Sequence, residues 1–197
     1  MKSLDVLLKE VRACTLCAEH LPNEPRPVLI ASETARVLII GQAPGRRVHE
    51  SGIPWDDPSG DRLRDWLQLD RERFYDESAI AIVPMGFCYP GTGTSGDLPP
   101  RPECAPAWHA PILERLPALR VTILLSAYAL KYYLPDGGRN SVAESVRNWR
   151  SYAPSFFPLP HPSPRNNRWL KTNPWFEQDV LPEIRRVIHH ALGEGGR

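Results

Sequence analysis

Four short apolar runs, at residues 37–40, 79–83, 121–125 and 156–159, punctuate this chain of 197 residues. Each is apolar nearly throughout rather than alternating, as a strand is when both of its faces are buried. Between them lie stretches with helical periodicity. Residues 3–13 place Leu4, Leu7, Leu8 and Val11 on one face, with Ser3 as N-cap. Ser59-Gly60-Asp61 opens a helix over 62–69 with Leu63, Trp66 and Leu67 inward. Further helices are expected over 104–116, 127–134, 141–149 and 175–192. Strands alternating with helices predict an α/β fold, a three-layer sandwich with a four-stranded parallel sheet flanked by helices. Proline breaks the last run and suggests an edge strand. The length suits one domain spanning residues 1–197, with a frayed tail over 193–197.

In such a sheet, loops at the carboxyl ends of the strands meet where ligands bind. Two of them carry chemistry. Gly41-Gln42-Ala43-Pro44-Gly45 follows the first run. His161-Pro162-Ser163-Pro164-Arg165-Asn166 follows the last, and joins an imidazole, a hydroxyl, a cation and an amide. The 22 prolines and 13 glycines therefore read as shaped loops rather than disorder, since apolar runs recur throughout. A net charge of +1 gives no global argument for a polyanionic partner. Local basic segments at 46–47, 139–150 and 165–171, rich in arginine, suit forked phosphate contacts. No stretch approaches the roughly 18 apolar residues of a membrane span, and the first residues lack a signal peptide's apolar core. A cytoplasmic monomer without membrane contact is expected.

The four cysteines are Cys14, Cys17, Cys88 and Cys104. In a cytosolic chain structural disulfides are not expected. Cys14-Thr15-Leu16-Cys17 has metal-ligand spacing, and the other two complete a four-thiolate set. Zinc and an iron–sulfur cluster both accept four thiolates. The 15 residues from Tyr89 to Glu103 between the later pair weaken the zinc case. The alternative is buried, hydrophobe-like cysteines and a chance CxxC.

These features together resemble the uracil-DNA glycosylase superfamily over nearly the whole chain. The loop at Gly41 is similar to its first motif, a strand followed by G-polar-x-P-G. The loop at His161 is similar to its second, H-P-S-P-x-N/S. The cysteine layout resembles that of the iron–sulfur families four and five. The resemblance implies a 4Fe-4S cluster on Cys14, Cys17, Cys88 and Cys104, with zinc as the alternative. It implies a DNA partner containing deaminated bases. The reaction would hydrolyse the N-glycosidic bond of uracil, or of hypoxanthine or xanthine, initiating base excision repair. No lysine stands beside the motifs for Schiff-base chemistry, so a monofunctional enzyme is expected.

The same resemblance assigns roles. His161 would donate to the O2 edge of the leaving base, and Ser163 would bind a neighbouring phosphate. Arg165 would be a wedge entering the vacated stack, or an ordinary phosphate contact. Asn166 would shape the loop. Gly41 and Gly45 would allow close backbone approach, and Gln42 would face the base or attacking water. Ala43 departs from the acid or amide that many relatives carry. The sequence Trp55-Asp56-Asp57-Pro58-Ser59-Gly60-Asp61 supplies a substitute. Asp57 matches the catalytic Asp of family five, with Asp56 as its neighbouring alternative. Either would otherwise shape the turn and cap the helix. Trp55 falls where relatives stack an aromatic on the base, unless it is core. Pro84 stands where uracil-strict relatives have Asn, so backbone groups of Met85 or Gly86 would take over base reading. His49 faintly echoes the adduct-forming histidine of one relative, without that relative's insertion. Ala43 and Pro84 also favour a second reading, a non-catalytic iron–sulfur protein that senses damage.

Overall fold

The computed structural model describes residues 2–94, 96–136 and 139–193. Ser3 Oγ accepts from Val6 N and starts α1 (Leu4–Arg12), whose apolar stripe is buried. β1 (Val37–Ile40) leads through the first loop into α2 (Arg46–Ser51), α3 (Pro58–Leu67) and α4 (Arg71–Phe74). β2 (Ile80–Ile82) is followed by a small hairpin, β3 (Thr92–Gly93) and β4 (Gly96–Asp97). Next come α5 (Cys104–Leu113), β5 (Val121–Leu124), α6 (Ala127–Tyr133) and α7 (Val142–Arg147). β6 (Phe156–Pro158), α8 (Asn167–Thr172) and α9 (Leu181–Ala191) close the fold.

The main sheet runs β2-β1-β5-β6 and all of its pairings are parallel. Val37 faces Ile80 on one side and Val121 on the other, which makes β1 central and buried throughout. Its alternating side chains feed two cores. Val37 and Ile39 pack with Leu63, Trp66, Phe176 and Ile184, under α3 and α9. Leu38 and Ile40 pack with Leu7, Leu8, Ile112 and Leu130, under α1, α5 and α6. This is the expected α/β fold, a parallel sheet between two helical layers.

β6 lies at the sheet edge, where Pro158 lacks only a donor that the edge does not need. The helix expected over 175–192 is divided. A π-helical turn at Phe176–Val180 precedes α9, because Pro182 has no N–H with which to continue a regular ladder. α2, α4, α8 and the β3–β4 hairpin were not expected from the sequence. Of the tail expected to fray, residues 194–197 lie outside the described residues.

His109 is a buried polar residue to which the sequence assigned no role. It is 1% exposed and stacks on Phe87 at 5.6 Å between ring centroids. Its Nε2 lies 3.0 Å from the Pro84 carbonyl, which can only accept, so Nε2 carries the proton. Nδ1 then accepts from the Tyr133 hydroxyl. Burial pushes this imidazole down from 6.5 to about 4. Between those values the unfolded chain binds the extra proton, so stability is full above pH 6.5 and falls as the pH drops towards about 4. Urea midpoints measured across that range should decline with acid, and His109→Gln should flatten the decline.

Candidate active site

Past the strand ends, the β1–β2 pairing continues into the loops. Met85 N donates to the Gly41 carbonyl at 3.0 Å, and Gly86 N donates to Gln42 at 2.9 Å. Beside this floor a cleft of about 600 Å³ opens at the carboxyl edge of the sheet. Its walls include both loops, Trp55, Asp57, Pro84 and Asp97.

Trp55 occupies a left-handed conformation, with φ 58°, which a bulky residue adopts only under constraint. Two glycines make room for it. A Cβ on Gly41 would lie 2.9 Å from the indole, and one on Gly60 would lie 1.7 Å from the Trp55 carbonyl. Arg64, itself 7% exposed, donates to that carbonyl at 3.3 Å. The indole ends 5.5 Å from the His161 ring, tilted by 35°. Trp55 is thus a wall of the cleft, although it also touches the core.

The structure separates the two neighbouring acids. Asp57 caps α3 by accepting from Gly60 N at 2.8 Å, and it lines the cleft. Asp56 turns outward and pairs with Arg71 at 2.7 Å. Asp61 pairs with Arg64 within α3.

In the second loop, Asn166 Nδ2 donates to the His161 carbonyl at 2.7 Å and fixes the loop's shape. Ser163 Oγ accepts from Arg165 N at 3.1 Å, capping the short turn Pro164–Asn166. Arg62 of α3 ties the loop down through the Ser163 carbonyl at 3.2 Å and Asn167 Oδ1 at 2.8 Å. The Arg165 guanidinium lies across Gly96, where a Cβ would come within 2.1 Å of Nη1. Burial pushes the His161 imidazole below its ordinary value; Asp57 and Asp97 pull it up, and Arg165 adds to the downward push. The ring is therefore neutral at neutral pH and offers one N–H.

Gln42 lines the cleft and donates from Nε2 to the Leu98 carbonyl at 3.0 Å. Gly41, Ala43 and Gly45 form the adjacent wall. Met85 is a correction. It stays out of the cleft: its N–H is used by Gly41, and its side chain packs among Phe87, Ala105 and their neighbours. Gly86 cannot read a base through its N–H either, because Gln42 occupies it. His49 also lies outside the cleft, 6.0 Å from Tyr89, with Nδ1 buried and unpartnered among the described residues. The cleft is also lined by Arg47, expected only as part of a basic segment, by Ser59, expected only at a helix start, and by Asp97, which the sequence did not single out. The signal for Asp97 was faint: it lies in a short glycine-rich stretch without periodicity.

The four cysteines converge on a second, much smaller void of about 20 Å³. All are free thiols. Trp108 Nε1 points at Cys14 Sγ from 3.3 Å, and Phe87 N at Cys104 Sγ from 3.4 Å. Burial, with smaller contributions from the neighbouring thiols, pushes Cys88 up to about 11 and Cys104 up to about 12. Among the described residues, no group of three or more Cys, His, Asp or Glu is arranged to hold a metal ion. No described helix is long and apolar enough to cross a membrane.

The family model of the uracil DNA glycosylase superfamily matches residues 28–185. The chain belongs to that superfamily. It is 29% identical over 87 residues to a type-4 uracil-DNA glycosylase from Archaeoglobus fulgidus, a match covering 43% of this chain and 44% of that one. The chain thus spans under half the length of that relative. An NMR structure of a candidate uracil DNA glycosylase from Methanosarcina acetivorans aligns with a TM-score of 0.46 and 16% identity. That alignment covers 82% of this chain and 98% of the other.

The cap makes Asp57 separable into two roles. Asp57→Ala should destabilise the protein by about 1 kcal/mol through loss of the cap. Asp57→Asn keeps an acceptor for Gly60 N and should unfold in urea close to the parent.

Proposed function

We propose that the protein is a monofunctional DNA glycosylase that hydrolyses the N-glycosidic bond of uracil, and of hypoxanthine or xanthine, in DNA. The supporting observation is the meeting of Trp55, Asp57 and His161 in one cleft. A glycosidic bond inside a stacked duplex is out of reach, so the nucleotide turns out into such a pocket. Trp55 stacks on the base. The neutral His161 donates its N–H to the base oxygen on which charge accumulates, and a preorganised donor of this kind acts most strongly where water is excluded. Asp57 has Oδ1 committed to the cap; Oδ2 remains for the cationic sugar or the attacking water. Ser163 and Arg165 meet the flanking phosphates. Excision of the base initiates repair, and the enzyme works as a cytoplasmic monomer.

Cys14, Cys17, Cys88 and Cys104 would hold a 4Fe-4S cluster. Two observations support the fit: the thiols surround one void, and N–H groups point at two of the sulfurs. Thiolates buried here need a cation, which the cluster's iron supplies when bound. The 15 residues between Cys88 and Cys104 favour the cluster over a single zinc ion, whose sites usually use two close pairs. Held by these thiols, the cluster would clamp the segment after α1 to the start of α5.

Ala43 supports a second reading, a weakly active or inactive protein that senses damage. The test is alkali cleavage of labelled duplexes carrying uracil, hypoxanthine or xanthine. Cleavage that falls by at least about 100-fold in Asp57→Asn and in His161→Ala is expected. Retained duplex binding without cleavage of any base would establish the sensor instead. Iron and sulfide analysis with a visible charge-transfer band is the expected cofactor result; a colourless protein with stoichiometric zinc would overturn it.

A further inference from the structure

The cleft floor is chemically silent where a base edge would be read. Pro84 has no N–H, and its carbonyl is taken by His109. The next two N–H groups, of Met85 and Gly86, are spent on the first loop. Val28 and Ile82 beside them are apolar. A flipped base would find no directional partner on this side, so polar recognition must come from another wall.

The β3–β4 hairpin contributes to the cleft through Asp97. The hairpin is fastened to both loops. Gln42 holds the Leu98 carbonyl, and Arg165 lies across Gly96. The carboxylate is itself placed. Oδ1 accepts from the Thr92 hydroxyl at 3.3 Å, and that hydroxyl also meets the Tyr89 hydroxyl. Oδ2 leans over Gly45, 3.3 Å from where a Cβ there would be. The glycine therefore lets the carboxylate close against the first loop. His161 feels its charge, together with that of Asp57.

We propose that Asp97 is a specificity-determining residue whose carboxylate accepts a hydrogen bond from a ring N–H of the flipped base. The proposal rests on the glycosylase reading above and names how that site chooses its substrate. A carboxylate only accepts, so it selects for a donor edge. Uracil at N3, and hypoxanthine and xanthine at N1, present such an N–H between or beside carbonyls. Hydrogen bonds to an ionised acceptor are the stronger kind. A base methylated on that nitrogen loses the donor and sets a methyl group against the charge. Sites built around a hydrogen bond reject an analogue that lacks it far more strongly than apolar pockets reject a missing methylene.

The experiment compares duplexes carrying 2′-fluoro nucleotides, which resist excision, with uracil or N3-methyluracil as the base. Affinities are read by fluorescence anisotropy. The parent should bind the uracil duplex at least about tenfold more tightly than the methylated one. Asp97→Ala should bring that ratio close to one, and Asp97→Asn should restore part of it, because the amide oxygen still accepts. Undiminished binding of Asp97→Ala to a duplex with an abasic analogue shows that the variant is folded. With that control in place, an unchanged ratio in Asp97→Ala overturns the proposal. Loss of excision activity in the parent, with the ratio intact, would strike the glycosylase reading and leave Asp97 as a base reader. No binding to any duplex would overturn both.

Discussion

The close packing of Trp55 between two glycines is the constraint on which the site depends. The Trp55 carbonyl occupies the space a Cβ on Gly60 would need, and the indole crowds Gly41 from the other side. This contact joins the end of β1 to the start of α3. It also stores strain, because a tryptophan with positive φ is unfavourable on its own. The surroundings compensate. Arg64 binds the Trp55 carbonyl and the Tyr75 hydroxyl, and Tyr75 donates to the Pro54 carbonyl at 2.8 Å. Asp56 is drawn outward by Arg71. With one acid turned away, the left-handed residue directs the other, Asp57, to both the helix end and the cleft. Position and cap arise from a single backbone reversal.

The two polar regions of the molecule are mechanically continuous. Pro84 lines the cleft, Met85 and Gly86 bind the first loop, Phe87 N points at Cys104 Sγ, and Cys88 belongs to the thiol cluster. Five consecutive residues thus connect the floor of the cleft to the cysteines. Val28 strengthens the link, donating its N–H to the Phe87 carbonyl at 2.8 Å while its residue lines the cleft. A group bound by the four thiols would therefore fix the cleft floor through covalent chain, not through a distant network. His109 supports the same segment from below by holding the Pro84 carbonyl.

The sequence made the sheet legible because burial on both faces leaves a mark on composition: continuous apolar runs that no surface strand would carry. Both loops were legible because their glycines, prolines and polar residues follow those runs directly. The hairpin at 92–97 left no such mark. Two-residue strands have no periodicity, and glycine-rich sequence specifies little. Asp97 was therefore missed although it shares the cleft with His161. His109 was missed because a histidine on an apolar helix looks the same whether or not its nitrogens find partners. Met85 was misread for a different reason. Backbone recognition depends on which N–H groups are left over, and a parallel pairing that continues past the strand ends consumes them without altering any residue type.

The charge arrangement of the cleft follows from these placements. Two carboxylates near an imidazole would ordinarily favour its cationic form, yet burial outweighs both of them at His161, and Arg165 acts in the same direction as burial. In the proposed reaction this neutral ring would serve as the hydrogen-bond donor to the leaving base. Neither carboxylate hydrogen-bonds the ring among the described residues; Asp57 Oδ1 caps α3 and Asp97 Oδ1 accepts from Thr92. Each retains a second oxygen. The fold thus divides one cleft into a donor at His161, an acceptor on the α3 side and an acceptor on the hairpin side, with an apolar floor between them.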